Sequence, residues 1–161
     1  TDIESTSSEV ANAAYYQEII LKISKTAEKK KESVLLTNAK DWIFTFIEGV
    51  ENAESNSVAG TGSNDVATNG VPFWLTVDFK EVKTVTGIQT THWGAGYAPS
   101  KVEIFSSENG DDWVSIGQWD TKGRNQTITF DERIKTRYLK YQMVTVPSRV
   151  DITKFYIYAW E

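Results

Sequence analysis

Several chemistries are excluded by residue types that this sequence lacks or nearly lacks. Its 161 residues contain no cysteine and a single histidine, His92. Without cysteine there are no disulfides, no thiolate zinc sites and no thiol nucleophile. The chain also has no G-x-S-x-G turn and no cluster of metal-ligating residue types, so the sequence gives little support to an enzyme.

The sequence has no excess of basic residues and no long apolar run. The 17 lysines and arginines stand against 22 aspartates and glutamates, which leaves a net charge of −5. Binding to a phosphate backbone needs the opposite balance, so nucleic acid is not an expected partner. No run is long enough for membrane insertion, and no export signal is recognisable, so we expect either that the full protein is soluble or that this is a fragment whose signal lies upstream.

The first 36 residues contain no glycine, proline or tryptophan, and their composition favours a helix. Thr6 and Glu9 have the spacing of a capping box. Apolar residues then recur at helical spacing, at Tyr16, Ile19, Ile20, Ile23 and Ala27. The pattern predicts a helix from about residue 8 to 33, and we assign residues 1–36 to a helical linker or the tail of a preceding domain.

From Asp41 onward the hydrophobic period changes to two, which indicates strands. About eight are predicted, at Trp42–Ile47, Phe73–Phe79, Thr84–Trp93, Lys101–Ser106, Trp113–Trp119, Gln126–Phe130, Tyr138–Val144 and Lys154–Trp160. Eight strands without intervening helices imply a two-sheet sandwich or jelly roll over residues 37–161. The stretch 51–70 shows no convincing strand and is interpreted as a long loop, functional or disordered.

The strand pattern also makes predictions for single side chains. Asn109 and Gly110 tolerate the positive φ of a tight hairpin between two alternating runs. Arg137 is expected to form a structural ion pair. Five aromatic residues are interpreted as core anchors, namely Trp113, Trp42, Trp74, Tyr138 and Tyr156.

The order of these motifs resembles the discoidin family, also called the coagulation factor five/eight type C domain. The resemblance extends over most of residues 42–161. It is carried, in order, by Phe73–Phe79, Val85–Ile88, Trp93–Ala98, Lys101–Trp113, Arg137–Lys140 and Phe155–Tyr158. Asn109 stands where the family usually has aspartate.

The resemblance implies an all-β, galactose-binding-domain-like β-sandwich of about eight antiparallel strands after an N-terminal helix. It also implies a non-catalytic carbohydrate-binding module whose partner is a mono- or oligosaccharide. Bacterial members of this kind resemble family 32 carbohydrate-binding modules appended to secreted glycoside hydrolases such as chitobiases, so an upstream domain and a secreted, periplasmic or surface location are expected. The alternative is a protein- or cell-surface adhesion module that binds no sugar.

Sugar-binding members of the resembling family use loops at one end of the sandwich. Here these loops are Gly60–Pro72, which includes Asn64 and Asp65, the segment His92–Pro99, the turn Lys122–Asn125, and the segment near Pro147. An aromatic ring fits the apolar face of a pyranose, and polar side chains orient its hydroxyls. The predicted sugar-binding residues are His92, Trp93, Tyr97, Asn69 and Arg149. Because His92 and Tyr97 end or follow a strand, we expect their side chains to be free at the edge of the sandwich.

Many members of the family hold a structural calcium ion beneath these loops, with a glutamate from the last strand among its ligands. Lys154 occupies that position here. A cation at a ligand position disfavours calcium, so no cofactor is expected.

Overall fold

The computed structural model describes residues 12–22, 32–37, 41–55, 57–59 and 65–160. Helix α1 spans 12–22, and a 3-10 turn lies at Ala95–Tyr97. The strands of the described residues are β1 (Ser33–Leu36), β2 (Ile43–Phe46), β3 (Val66–Thr68), β4 (Phe73–Thr91), β5 (Lys101–Ser107), β6 (Val114–Asp120), β7 (Asn125–Thr145), β8 (Val150–Ile152) and β9 (Lys154–Trp160). The β-domain from Ser33 to Trp160 forms one compact unit, and α1 belongs to another.

The predicted helix is present at residues 12–22, whereas its other predicted residues up to 11 and from 23 to 31 lie outside the described part of the chain. Its predicted end near residue 33 is wrong, because Ser33 opens β1 and pairs with Trp160 of β9. The β-domain therefore includes residues before position 37. No helix in the described ranges is long and apolar enough to cross a membrane.

Two long strands, β4 and β7, each run through both layers of a β-sandwich. The first half of β4 pairs with β2 and with the second half of β7, whereas its second half pairs with β9 and the first half of β7. Strands β5 and β6 extend the first layer, and β1 extends the second. All these pairings are antiparallel, which confirms the predicted fold class.

The predicted breaks in β4 and β7 are bends within continuous strands. In β4 the register shifts between Asp78 and Lys83, and Lys80 has a φ of +69°. The Asp78 carboxylate accepts the Lys80 N–H at 2.8 Å and binds Arg137 through two hydrogen bonds of 2.9 and 3.1 Å. The ion pair expected of Arg137 is thus confirmed, and it ties β4 to β7 where both change layer.

The core lies between the two layers. Alternation places Phe73, Leu75 and Val77 inward and the intervening residues outward, as the sequence predicted. Phe155 of β9 contacts the rings of Phe44 and Tyr141 at centroid distances of 6.0 and 5.9 Å. These contacts join the two layers.

A separate two-stranded sheet of β3 and β8 lies at one end of the sandwich, and the sequence patterns did not reveal it. Val66, Val150 and Ile152 of this sheet are fully buried. The interpretation of 51–70 as strandless was therefore wrong. Strands of three residues are too short to show a hydrophobic period.

Of the five aromatic residues interpreted as core anchors, only Trp42 packs against the core. Its ring lies 4.9 Å from that of Phe79. The other four are half-exposed and lie outside the core cluster, so the interpretation was wrong for Trp113, Trp74, Tyr138 and Tyr156. Trp74 faces outward because side chains alternate along β4 and its neighbours Phe73 and Leu75 face inward.

We predict that Phe155→Ala lowers the free energy of unfolding by about 3–5 kcal/mol, because it opens a cavity between the layers. Trp113→Ala removes a half-exposed ring and should cost only about 1–2 kcal/mol. Urea denaturation of both variants measures the difference. Equal losses for the two variants would place Trp113 in the core after all.

Candidate functional site

An open pocket of about 210 Å³ lies at the end of the sandwich that the β3–β8 sheet closes. It is lined by Asp65, Trp93, Tyr97, Arg149 and Asp151. Trp93 and Tyr97 follow the end of β4, whereas the other three residues lie on or beside β3 and β8. The pocket therefore forms only when chain segments far apart in sequence meet.

Trp93 is the most prominent side chain of the pocket, with 66% of its surface exposed. Its backbone N–H donates to the Asp151 carboxylate, at 3.0 Å from Oδ1 and 3.3 Å from Oδ2. The Tyr97 ring stands edge-on to the indole at 5.2 Å between centroids. Tyr97 is itself held by the 3-10 turn, where its N–H donates to the Gly94 carbonyl at 3.0 Å. Together these contacts form a fixed aromatic platform.

His92 lies beneath the platform and is fully buried, so the expectation that its side chain is free at the sandwich edge was wrong. Its Nδ1 atom lies 2.6 Å from the Asp151 carbonyl oxygen. A carbonyl only accepts, so Nδ1 carries the proton and Nε2 accepts from the Thr90 hydroxyl at 3.0 Å. Burial lowers the pKa of His92. The ring thus acts as a neutral crosslink between the end of β4 and β8.

Asp151 is the pocket residue that the sequence analysis missed. Only 2% of its surface is exposed, and burial raises the pKa of its carboxyl to about 6. The neighbouring Asp65 raises that pKa further, whereas the Trp93 N–H and Arg149 oppose the rise. The feature of the sequence that could have pointed to Asp151 is its position as a single acidic residue between two β-branched residues, Val150 and Ile152.

Arg149 lines the pocket with a guanidinium that is held in place by two neighbours. Its Nη2 donates to Glu51 Oε2 at 2.6 Å, and its Nη1 donates to Asn69 Oδ1 at 3.2 Å. The bond to Glu51 raises the pKa of Arg149, and its side chain remains 39% exposed. Asn69 does not line the pocket, but it helps to orient Arg149.

The structure thus brings three of the five predicted residues into one pocket, Trp93, Tyr97 and Arg149, with Asn69 behind Arg149 and His92 below. Asp65 of the loop Gly60–Pro72 also lines the pocket, whereas Asn64 lies outside the described residues. The turn Lys122–Asn125 contributes indirectly, because Arg124 Nε donates to the His92 carbonyl at 3.1 Å.

The residues at the calcium position that the resemblance implies do not fit the ion. Lys154 begins β9 where an acidic ligand would be needed. Within the described ranges, no three acidic or histidine side chains gather into a possible metal site. The pocket instead offers one aromatic face, carboxylate acceptors and one guanidinium donor, a set suited to ring stacking and hydroxyl recognition.

Known structures with the same fold come from several glycoside hydrolases. A CBM32 domain of a family 31 glycoside hydrolase from Clostridium perfringens is 20% identical, with a TM-score of 0.62, over 76% of this chain and 96% of that one. The family 32 CBM of C. perfringens NanJ, solved with galactose, is 21% identical at a TM-score of 0.60, over 79% and 98%. A chitobiase C-terminal domain from Bacteroides fragilis is 18% identical at 0.62, over 78% and 97%.

No curated protein matches the chain. The family model of the F5/8 type C domain matches residues 47–156, which is more than half of the sequence. The match covers the strands β3 to β8, the 3-10 turn and all five residues of the pocket. The chain therefore belongs to the F5/8 type C domain family.

Proposed function

We propose that the β-domain is a non-catalytic carbohydrate-binding module that holds an attached, secreted glycoside hydrolase on its glycan. The observation that carries the proposal is the exposed Trp93 ring, fixed edge-on to Tyr97 beside Arg149 and two carboxylates. The exposed indole presents a flat apolar surface in a fixed orientation, and the apolar face of a pyranose is a suitable partner for it.

The polar groups around the platform complement sugar hydroxyls. Arg149 presents donors, and the carboxylates of Asp65 and Asp151 present acceptors. Arg149 is already oriented by Glu51 and Asn69, so little side-chain entropy is lost when a hydroxyl pair binds it. We expect one sugar unit to lie on Trp93 with its hydroxyls toward Arg149 and Asp65.

The two carboxylates of the pocket give no support to a glycosidase. Asp65 precedes β3, Asp151 lies opposite Ala67 in β8, and Asp65 adds to the raised pKa of the Asp151 carboxyl. Asp151 is moreover buried and bonded to the Trp93 N–H, which suits positioning and binding rather than acid–base catalysis.

Two structures of the same fold add support, since the NanJ module was solved with galactose and another C. perfringens module with GalNAc-β-1,3-galactose. That module, from a protein named GH89, is 14% identical at a TM-score of 0.63. The glycoside hydrolase origin of such neighbours is the support for an attached hydrolase and for a location outside the cytoplasm.

The pocket is small and open, so a single sugar should bind weakly. We expect dissociation constants of roughly 0.1–1 mM for the best sugars on a glycan array, measured by calorimetric titration. Nanomolar binding to a protein partner without any response to sugars would instead support an adhesion module.

Binding and stability should separate in variants of the platform. Trp93→Ala and Tyr97→Ala should reduce sugar binding at least tenfold, by roughly 1.5 kcal/mol or more, with little change in melting temperature. His92→Ala should lower the free energy of unfolding by about 2–4 kcal/mol, because it removes a buried crosslink.

The matched control is Tyr156→Ala, which removes a half-exposed ring on β9 away from the pocket. This variant should bind sugar as the unmodified chain does. The site assignment fails if Trp93→Ala and Tyr97→Ala both retain full affinity, or if they lose it only by unfolding.

Sugar binding should also depend on pH through Asp151. A carboxyl with a pKa of about 6 is mostly protonated at pH 5 and mostly ionised at pH 7.5. The ionised form accepts a hydroxyl more strongly, so affinity should rise roughly three- to tenfold from pH 5 to pH 7.5. Asp151→Asn keeps an acceptor for the Trp93 N–H and should show no such rise. If the affinity of the Asp151→Asn variant still rises with pH, the rise comes from the ionisation of another group, such as His92.

A further inference from the structure

A groove of about 520 Å³ runs over the outer face of the first layer, more than twice the volume of the loop pocket. We infer that this groove is a second binding site, for a neutral oligosaccharide. Its walls include the aromatic rings of Trp74, Trp113 and Tyr138. These are three of the four rings whose position outside the core the sequence analysis did not foresee.

The floor of the groove follows from strand alternation and register. Thr45 of β2, Thr76 of β4 and Lys140 of β7 are directly paired neighbours, so they form one row across three strands. Within the described residues, the hydroxyls of Thr45 and Thr76 make no hydrogen bond. The row therefore presents two free hydroxyls and an ammonium group between aromatic walls.

The β5–β6 hairpin brings Trp113 to the rim of the groove, directly after a turn that is held by several hydrogen bonds. The Ser107 hydroxyl accepts the N–H groups of Asn109 and Gly110, and Asn109 Oδ1 accepts those of Asp111 and Asp112 at 2.9 Å each. Gly110 has a φ of +82°, and a Cβ there would lie 3.1 Å from the Tyr138 ring. The turn is thus preorganised and packs directly against a wall of the groove.

The charges around the groove favour a neutral occupant. Asp78 is neutralised by its two bonds to Arg137, which lower the pKa of its carboxyl. The Lys140 ammonium lies over the rings of Trp74 and Phe105, at 5.1 and 5.5 Å, and disfavours a cation. The hairpin at the rim carries three acidic residues, Glu108, Asp111 and Asp112, which disfavour an anionic polymer.

The occupant of the groove is then either a glycan or an apolar peptide, and the polar floor of the groove distinguishes between them. Protein hot spots are desolvated pockets with apolar cores, whereas this floor is a row of hydroxyls and an ammonium. Aromatic walls above hydroxyl-binding groups match linked pyranose rings, whose faces stack and whose edges hydrogen-bond. Pockets of about 300–1,000 Å³ hold ligands larger than one sugar ring. The groove therefore suits a chain of two or more units.

The groove is separate from the loop pocket. The two share no lining residue, and Trp74 stands at the start of β4 whereas Trp93 follows its end. The inference therefore stands independently of the proposed loop site, although both concern sugars.

The test is an NMR titration of the full chain carrying Trp93→Ala and Tyr97→Ala, so that the loop pocket is disabled. The probes are neutral hexasaccharides of β-1,4-linked glucose, mannose, xylose and N-acetylglucosamine, with the matching monosaccharides. The indole N–H signals of Trp74 and Trp113 are followed, after assignment by Trp→Phe variants. We expect saturable shifts of both signals with at least one hexasaccharide and none with monosaccharides.

Groove variants added to this background should then weaken that binding. Thr76→Val, which preserves side-chain shape, and Trp74→Ala should each lower the association constant about tenfold. Tyr158→Ala, a half-exposed ring on the other layer, is the matched control and should have no effect.

For an open groove we expect a dissociation constant on the order of 1 mM, and the inference is overturned if no neutral hexasaccharide shifts the groove signals at about 10 mM. It is also overturned if heparin shifts them equally well, or if they move with protein concentration alone, which would indicate a second copy of the chain in the groove. The unmodified chain distinguishes the two sites, because hexasaccharides that shift the Trp93 signal and leave the Trp74 and Trp113 signals unchanged would support the loop site and reject the groove.

Discussion

The hydrogen bonds of the Asp78 carboxylate are the constraint on which the arrangement of this domain depends. They hold Lys80 in its left-handed conformation and join β4 to β7 through Arg137, at the point where both strands pass from one layer to the other. Before that point β4 directs Trp74 to the outer face, and beyond it the same strand leads to His92 and Trp93. The ion pair therefore lies at the bend between the part of β4 that carries Trp74 and the part that leads to Trp93.

The loop pocket depends on a second set of contacts that costs stability. Asp151 is buried with a pKa of about 6, so at neutral pH the fold holds a carboxylate that would be better solvated in water. In return, its carboxylate holds the Trp93 N–H and its carbonyl holds the His92 ring. Burial of the Asp151 carboxylate lowers the stability of the fold, and the contacts of Asp151 fix the position of the aromatic platform before a ligand binds.

The sequence predicted most strand residues of the sandwich, although it divided β4 and β7 into two strands each, and it missed features that depend on distant partners. Alternation from Phe73 to Phe79 revealed which face is buried, but the same alternation shows Trp74 facing outward, and its size led to its interpretation as a core residue. His92 looked free because its partner, the Asp151 carbonyl, lies 59 residues away in a three-residue strand. Trp93, Tyr97 and Arg149 became candidates because the family resemblance pointed to loops at one end of the sandwich, and the structure brings these three side chains into one pocket.

The proposed loop site and the proposed groove site lie on one domain, and together they have a consequence that neither has alone. Linked binding events gain affinity through effective concentration, by about 10²- to 10⁴-fold, only when one ligand reaches both sites. Trp74 and Trp93 are separated by most of β4, which is hydrogen-bonded on both sides along its second half and bends at a fixed point. The distance between the sites is therefore set by the fold. Short glycans would occupy the sites independently, whereas a polysaccharide or a dense glycan surface would engage both at once.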